Sequence, residues 1–176
     1  HITIHAQGGV SLEQNALIQA DSGGSISIYA ESGSVTLNKG SQILGSTVTF
    51  IAARTDTTTT FSFNGGTINY NNPNSRTKIY SFGNVTVSSN ALIGSTMSAF
   101  IMASANGAAT GSIEASSADL NNTLLIAEGD MQVSGGTYAG LYSEQTLQLN
   151  KDTIVTYKSS NARALDLPFA IRSWGY

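Results

Sequence analysis

Residues 83–93 read Gly-Asn-Val-Thr-Val-Ser-Ser-Asn-Ala-Leu-Ile, which is a short strand, a polar turn and a second short strand. Val85 and Val87 alternate with polar residues, so both side chains point to one face of a sheet. The same pattern occurs at residues 8–18, 33–43, 129–139 and 145–155. Because no segment shows a convincing amphipathic helix, the repeated unit predicts an all-β chain.

The spacing of these units is typical of a solenoid. Val10 and Val35 are separated by one interval of roughly 25 residues, and Val35 and Val85 by two such intervals. The later units stand closer, and further strands are predicted between the units, at 25–29, 47–52, 78–82, 99–103, 123–127 and 140–142. A coil this thin cannot bury its own apolar face, so coils must stack around a shared core. We expect a single-stranded parallel β-helix of about six to seven coils, right-handed by the general rule for parallel connections.

An antiparallel sandwich also contains many short strands and is the alternative architecture. It favours two-residue Asn-Gly turns, which occur here at 64–65 and 106–107 but not at the other joins. Residues 55–77 interrupt the repeat with a run of threonines and then Asn, Gly and Pro. This segment is predicted to protrude as a loop or small hairpin, either as a partner-binding loop or as an insertion without a role.

The composition excludes several functional classes. Only 11% of the residues are charged, the net charge is −3, and there is no cysteine. These values exclude a disulfide framework, a thiolate zinc site and a general cationic field for nucleic acid. No stretch approaches the roughly 18 apolar residues of a membrane-spanning helix. A chain without cysteine can fold in any redox compartment, and such chains are common among exported bacterial proteins.

The chain is predicted to form one β-solenoid domain, residues 1–176. It begins with His1 inside an alternating run and shows no signal peptide. We therefore expect a fragment of a longer secreted or membrane-anchored chain.

Few residues are candidates for chemistry. Glu128 and Asp130 are the one closely spaced carboxylate pair considered for a sugar-cleaving enzyme, but they flank Gly129, where a solvated corner is expected. His1 and His5 would share a strand face and could bind a metal, although frayed terminal histidines are more often inert. The sequence therefore predicts no catalytic residue, no metal site and no cofactor.

The segment 151–176 is the most basic part of the chain. Lys158, Arg163 and Arg172 are the candidate contacts to a ligand or nucleic acid, since aromatic residues that could stack on bases lie among them. The aromatic residues are Tyr157, Phe169, Trp174 and Tyr176. The favoured interpretation is that they cap the open end of the solenoid.

The carboxyl-terminal third resembles the end of PilX-like accessory proteins, or minor pilins, of bacterial type IV pili. The resemblance rests on Leu-Leu-Ile-Ala-Glu-Gly-Asp (124–130), Ser-Gly-Gly-Thr-Tyr-Ala-Gly-Leu-Tyr (134–142), Ile-Val-Thr-Tyr (154–157) and a terminal Ser-Trp (173–174). In this chain Gly175 and Tyr176 follow the tryptophan, where that family carries an acidic residue. The resemblance implies a cell-surface domain, a membrane-anchoring helix upstream, other pilus subunits or surface ligands as partners, and no catalytic residues.

Three functional hypotheses follow. The first is a non-enzymatic extracellular domain of a type IV pilus-associated protein, active in pilus assembly, adhesion or DNA uptake. The second is a passenger segment of a filamentous-haemagglutinin-type adhesin, whose coils residues 1–50 resemble. The third is a β-helix enzyme that acts on polysaccharides.

Overall fold

The computed structural model describes residues 1–21, 23–52, 60–70, 72, 74–88, 90–95, 98–105 and 109–156. The described chain is all-β. Its strands are, in order, β1 (Ile2–Ala6), β2 (Val10–Leu12), β3 (Leu17–Gln19), β4 (Ser25–Ala30), β5 (Val35–Leu37), β6 (Gln42–Leu44), β7 (Thr47–Ala52), β8 (Thr60–Asn64), β9 (Thr67–Ile68), β10 (Arg76–Ser81), β11 (Asn84–Ser88), β12 (Leu92–Ile93), β13 (Ser98–Ala103), β14 (Ile113–Ser116), β15 (Asp119–Ala127), β16 (Met131–Ser134), β17 (Thr137–Ser143), β18 (Leu147–Leu149) and β19 (Ile154–Val155).

These strands stack as a parallel β-helix with three faces, which confirms the predicted fold class. The second face is a seven-stranded sheet, β2-β5-β8-β11-β14-β16-β18. The other two faces are the arms of a twelve-stranded sheet, β1-β4-β7-β10-β13-β15 and β3-β6-β9-β12-β15. They meet in β15, and β17 and β19 continue the stack. Every strand pair is parallel, which rules out the antiparallel sandwich for this part of the chain.

The core is built from columns of inward side chains, one from each coil. On the first face Ile4, Ile28, Phe50, Ile79, Ile101, Leu125 and Leu141 stand in one register column. On the second face the column is Val10, Val35, Phe61, Val85, Ile113, Met131 and Leu147. Between the ends of the stack these side chains are buried. The predicted alternation therefore reflects one shared apolar interior.

One corner keeps the same backbone conformation in all seven coils. The residue two places before each third-face strand has a positive φ, between 48° and 81°. These residues are Asn15, Gly40, Gly65, Asn90, Ser117, Gly135 and Asp152. In several coils an i→i+3 backbone bond closes the turn, as from the Ala16 N–H to the Glu13 carbonyl. Glycine and asparagine suit this left-handed corner because they tolerate positive φ at low cost.

The other corners set the length of each coil. Leu17 pairs with Gln42, which pairs with Thr67, so the first coils have equal lengths. Asp119 pairs with Thr137, which is a clearly shorter step along the chain. The shortening occurs where β15 runs from the third face onto the first without a corner loop, with an irregularity in register between Leu120 and Leu124.

The structure corrects the expectation that the segment 55–77 protrudes from the stack. Residues 53–59 lie outside the described residues, but β8 pairs with β5 and β11, and β9 pairs with β6 and β12. Residues 60–68 are therefore a regular coil of the stack and not a protruding hairpin. For residues 60–68 the prediction was wrong, because the threonine run hid the alternation of Phe61, Ser62 and Phe63, whose phenylalanines are fully buried.

Candidate functional site

The carboxylates of Glu128 and Asp130 are held by backbone groups of different coils. Both residues lie in the turn between β15 and β16. A Glu128 carboxylate oxygen accepts the Ala105 N–H at 2.7 Å, from the coil below. Asp130 Oδ1 accepts the Thr146 N–H at 3.0 Å, from the coil above. The two acids therefore bind in opposite directions along the stack, as links between coils, and do not form a facing pair around a substrate.

The two histidines likewise have separate partners. His1 Nδ1 lies within hydrogen-bonding distance of the Ser25 hydroxyl. His5 Nε2 lies 2.7 Å from a Glu31 carboxylate oxygen, and its ring packs edge-on against Tyr29. Within the described ranges, no group of three His, Asp or Glu side chains is placed to hold a metal ion. The histidines thus connect the first coil to the second.

The basic candidates Lys158, Arg163 and Arg172 lie outside the described residues, as do Tyr157, Phe169, Trp174 and Tyr176. The predicted roles of this segment, in ligand contact or in capping, remain predictions. In the part of the chain that the structure describes, no helix is long and apolar enough to cross a membrane.

The outward surface of the second sheet is regular and polar. Its central column reads Ser11, Thr36, Ser62, Thr86, Glu114, Gln132 and Gln148. The flanking column contains Asn38, Asn64, Ser88, Ser116 and Ser134, and the Ser88 hydroxyl donates to Asn64 Oδ1 at 3.2 Å. Since neighbouring strands are about 4.8 Å apart, this polar face presents hydroxyls and amides at a constant spacing.

One outward column of the first face changes from polar to apolar along the stack, whereas the adjacent column contains Tyr29 and Ile51 already in the lower coils. In the lower coils one outward column contains Thr3, Ser27 and Thr49. Higher up, the same column continues through Lys78 to Phe100 and Leu124, and the adjacent column contains Tyr80, Met102 and Ile126. The Tyr80 and Phe100 rings meet edge to face, with centroids 5.0 Å apart. Burial in this cluster raises the pKa of the Tyr80 hydroxyl.

A buried polar cluster lies where the third face turns into the first, and the sequence analysis missed it. Asn69 Oδ1 accepts the Gly45 N–H at 2.9 Å. The Asn69 amide donates to the hydroxyls of Thr77 and Ser95, both at 3.2 Å. These three side chains are completely buried. A polar group buried without such partners is costly, so the cluster fixes the path of this corner and gives no sign of a ligand.

One signal in the sequence could have revealed the cluster. Thr77 occupies the inward column position that Val48 fills in the coil below. Most buried hydroxyls are hydrogen-bonded, so a threonine at a core position of the repeat favours a polar partner nearby.

Comparison of this chain with protein-family models, with curated proteins and with solved structures finds no match.

Proposed function

We propose that this chain is a non-enzymatic structural and binding domain on the outside of a bacterial cell, carried by a type IV pilus-associated protein of the minor-pilin kind. The observation that supports a binding role is the polar face of the second sheet. Hydroxyl or amide side chains occupy six of the seven positions of its central column, and the Glu114 carboxylate occupies the seventh. Such an array suits a ligand that is itself repetitive, such as a surface polysaccharide or the wall of a fibre built from identical subunits.

The positions of the acidic residues support a role without catalysis. Glycoside hydrolysis in most families uses two carboxylates that flank the scissile bond. Here Glu128 and Asp130 accept hydrogen bonds from backbone groups in opposite directions. The enzyme hypothesis predicts that Asp130→Asn abolishes cleavage of an acidic polysaccharide. The present proposal predicts that neither the wild type nor the Asp130→Asn variant cleaves the polysaccharide.

The binding experiment uses the polar face directly. Thr36→Lys and Thr86→Lys place charged, bulky side chains in the central column of that face. Thr49→Lys, on the outward side of β7 in the first sheet, is the matched control. We expect the first two variants to lose binding to purified type IV pili or to capsular polysaccharide, and the control to retain it. Equal binding by all three variants would contradict a binding role for the polar face.

The resemblance to pilus proteins also implies a role in DNA uptake. Binding to duplex DNA through Lys158, Arg163 and Arg172 must weaken steeply with salt, because counterions are released from the phosphates. Replacing all three with glutamine should abolish the binding, whereas Lys39→Gln with Lys151→Gln should not. Absence of a DNA complex at low salt removes this part of the proposal.

The constant length of the first coils favours a second candidate, the haemagglutinin-type adhesin passenger. Leu17, Gln42, Thr67 and Leu92 follow one another at equal steps on the third face. Long adhesins are built by extending such a repeat. Reading the gene upstream of the His1 codon separates the two: a short leader with an apolar helix supports the pilus setting, and further coils support the adhesin.

A further inference from the structure

Two cations lie side by side on the outward surface of β10. Arg76 and Lys78 are two residues apart on this strand, so their side chains leave the same face about 7 Å apart. Thr77 and Ile79 alternate with them and are fully buried in the core. Arg76 is exposed and Lys78 is half-buried. The two side chains therefore form a pair of positive charges on the outer side of the first face.

Neither cation is neutralised by the described part of the chain. Among the described residues, Arg76 and Lys78 form no salt bridge and donate no side-chain hydrogen bond. No acidic residue occurs in β10 or in its neighbours in the sheet, β7 and β13. A chain with a net charge of −3 therefore leaves two of its few cations unpaired at one place on its surface.

Hydroxyl side chains lie beside the two cations on the neighbouring strand β7. Register places Thr47 next to Arg76 and Thr49 next to Lys78, about 4.8 Å away at the spacing of neighbouring strands. Both threonines are half-buried and face outward like the cations. These four side chains are called the cationic patch. They combine two positive charges with neutral donors and acceptors of hydrogen bonds.

An apolar strip borders the cationic patch. The strip consists of outward residues of β10, β13 and β15, namely Tyr80, Phe100, Met102, Leu124 and Ile126. Phe100 pairs in register with Lys78, and its ring meets that of Tyr80 edge to face. Binding sites for organic ligands commonly combine such apolar surface with a few placed polar groups. The border between the patch and the strip therefore offers charge, hydroxyls and ring surface to one ligand.

We propose that the cationic patch binds an acidic polysaccharide, with the carboxylate or sulfate group of one sugar residue held between Arg76 and Lys78. A guanidinium and an ammonium group are strong hydrogen-bond donors to such an anion. Thr47 and Thr49 then face the uncharged hydroxyls of the same sugar chain. The site is separate from the polar face, whose central column contains the acid Glu114 and no cation.

Nucleic acid is the other polyanion that a pair of cations could attract. Duplex DNA carries one charge per roughly 1.7 Å of helix axis, and proteins bind it by neutralising many phosphates. The patch offers two cations, so most phosphates would face hydroxyls or apolar side chains. An acidic polysaccharide carries fewer charges and many hydroxyls, which matches the composition of the patch.

Calorimetric titration of the full chain with polygalacturonate, a polymer of carboxylate-bearing sugars, tests the proposal at low salt. Arg76→Gln with Lys78→Gln should raise the Kd by about tenfold or more, because hydrogen bonds between charged groups are the strong ones. Lys39→Gln with Lys151→Gln is the matched control and should leave the Kd unchanged. It removes the same charge from exposed positions at the corner after the second face. Any binding of dextran, an uncharged polysaccharide, should be equal in the wild type and both variants.

A second pair of variants adds an acid and retains both cations. Thr49→Glu places a carboxylate beside Lys78 and should weaken the binding of polygalacturonate. Thr86→Glu makes the same change of charge on the polar face and should leave the binding as it is in the wild type. Circular dichroism identifies any variant that fails to fold.

Several results would overturn the proposal. One is a wild type that does not bind polygalacturonate, and another is equal weakening by the two glutamine pairs, since net charge alone would then explain the effect. Tighter binding of duplex DNA than of polygalacturonate through Arg76 and Lys78 would assign the patch to nucleic acid. Loss of polygalacturonate binding only when Lys158, Arg163 and Arg172 are replaced by glutamine would assign anion binding to those residues instead.

Discussion

The two sheets of this solenoid have similar interiors and different exteriors. In the second sheet, strands such as β5 and β8 are buried on one side and carry Thr or Ser on the other. In the first sheet, β13 is buried on both sides. The sequence shows the same difference, because Val-Thr-Leu at 35–37 alternates, whereas Ala-Phe-Ile-Met-Ala at 99–103 is a continuous apolar run. A run of this kind is typical of a strand covered on both faces.

The comparison teaches that the coil repeat determines the core but not the surface. The inward columns are predominantly apolar because the coils share them, with single polar residues such as Thr77 and Thr123 beside apolar neighbours. The outward positions are free to differ: the second face carries polar side chains, and the upper coils of the first face carry apolar ones, of which Phe100 and Ile126 are buried. The role proposed above in binding a repetitive ligand depends on the polar face alone.

The largest effect is expected inside the second sheet. Phe61→Ala removes a fully buried ring that packs edge-on against Phe50 across the core, with centroids 5.4 Å apart. The substitution should lower the free energy of unfolding by about 3–5 kcal/mol. Its neighbour Ser62 faces outward, and Ser62→Ala should stay within about 0.5 kcal/mol. Urea denaturation measures both, and similar losses for the two would contradict the assignment of inside and outside.

The same test on the first sheet should give a different result. Phe100 also faces outward, but it is buried. Phe100→Ala should therefore cost at least about 2 kcal/mol, closer to a core substitution than to a surface one. A loss as small as that of Ser62→Ala in the same urea experiment would mean that the outer sides of the two sheets are equivalent.

A substitution at the left-handed corner, which lies between the two sheets, should have an intermediate effect on stability. Gly65 has a φ of 81°, where a Cβ costs roughly 1–2 kcal/mol. Gly65→Ala should lower the melting temperature accordingly. Gly8→Ala is the control, since nothing lies within 4 Å of a Cβ at that position. Equal melting temperatures for the two variants would argue against a corner conformation that every coil repeats.

The smallest effect concerns Tyr138, which occupies an inward position of the third face. It is completely buried, and its hydroxyl has no partner with good hydrogen-bond geometry, although it approaches the Ala118 backbone. Burial raises the pKa of this hydroxyl. A raised pKa means that the folded state keeps this proton to a higher pH than the unfolded state does. The stabilisation of the folded state that results is fully present below about pH 10 and is lost as the pH rises above it.

Tyr138→Phe should therefore change the free energy of unfolding by less than about 1 kcal/mol at pH 7. It should also reduce the loss of stability above about pH 10. Urea titrations at pH 7 and pH 10.5 test this, with Tyr70→Phe at an exposed position as the control for removing one hydroxyl. A steeper loss of unfolding free energy at alkaline pH in Tyr138→Phe than in the wild type would contradict this prediction.

Much of the fold could be predicted from local patterns. The alternation at 35–37 and 85–87, the regular spacing of the units and the Asn and Gly corners together predict stacked parallel coils, because each pattern is imposed within a single coil. The coil at 60–68 was missed since its neighbour at 53–59 has no apolar period. The coil that contains β14 was missed as well, and Ile113 and Ala115 carry its alternation.

The surfaces could be predicted less well. Whether an outward side chain is buried depends on the side chains that neighbouring coils bring beside it, as for Phe100, which lies between Lys78 and Leu124 and contacts the Tyr80 ring. The same holds for Glu128 and Asp130: their spacing suggests a pair, but their partners Ala105 and Thr146 lie in different coils. The spacing of residues along one coil carries no information about the coils above and below.

The most direct test of this account is a cysteine-accessibility scan of the two outer surfaces. Single cysteines replace Ser62 and Thr86 on the polar face, and Phe100 and Ile126 on the strip, in a chain that has none of its own. The rate of labelling by a soluble thiol reagent is then measured on the folded protein. The account predicts fast labelling at the first two positions and labelling at least tenfold slower, about 1.4 kcal/mol of protection, at the other two. Equal rates at all four positions would contradict it.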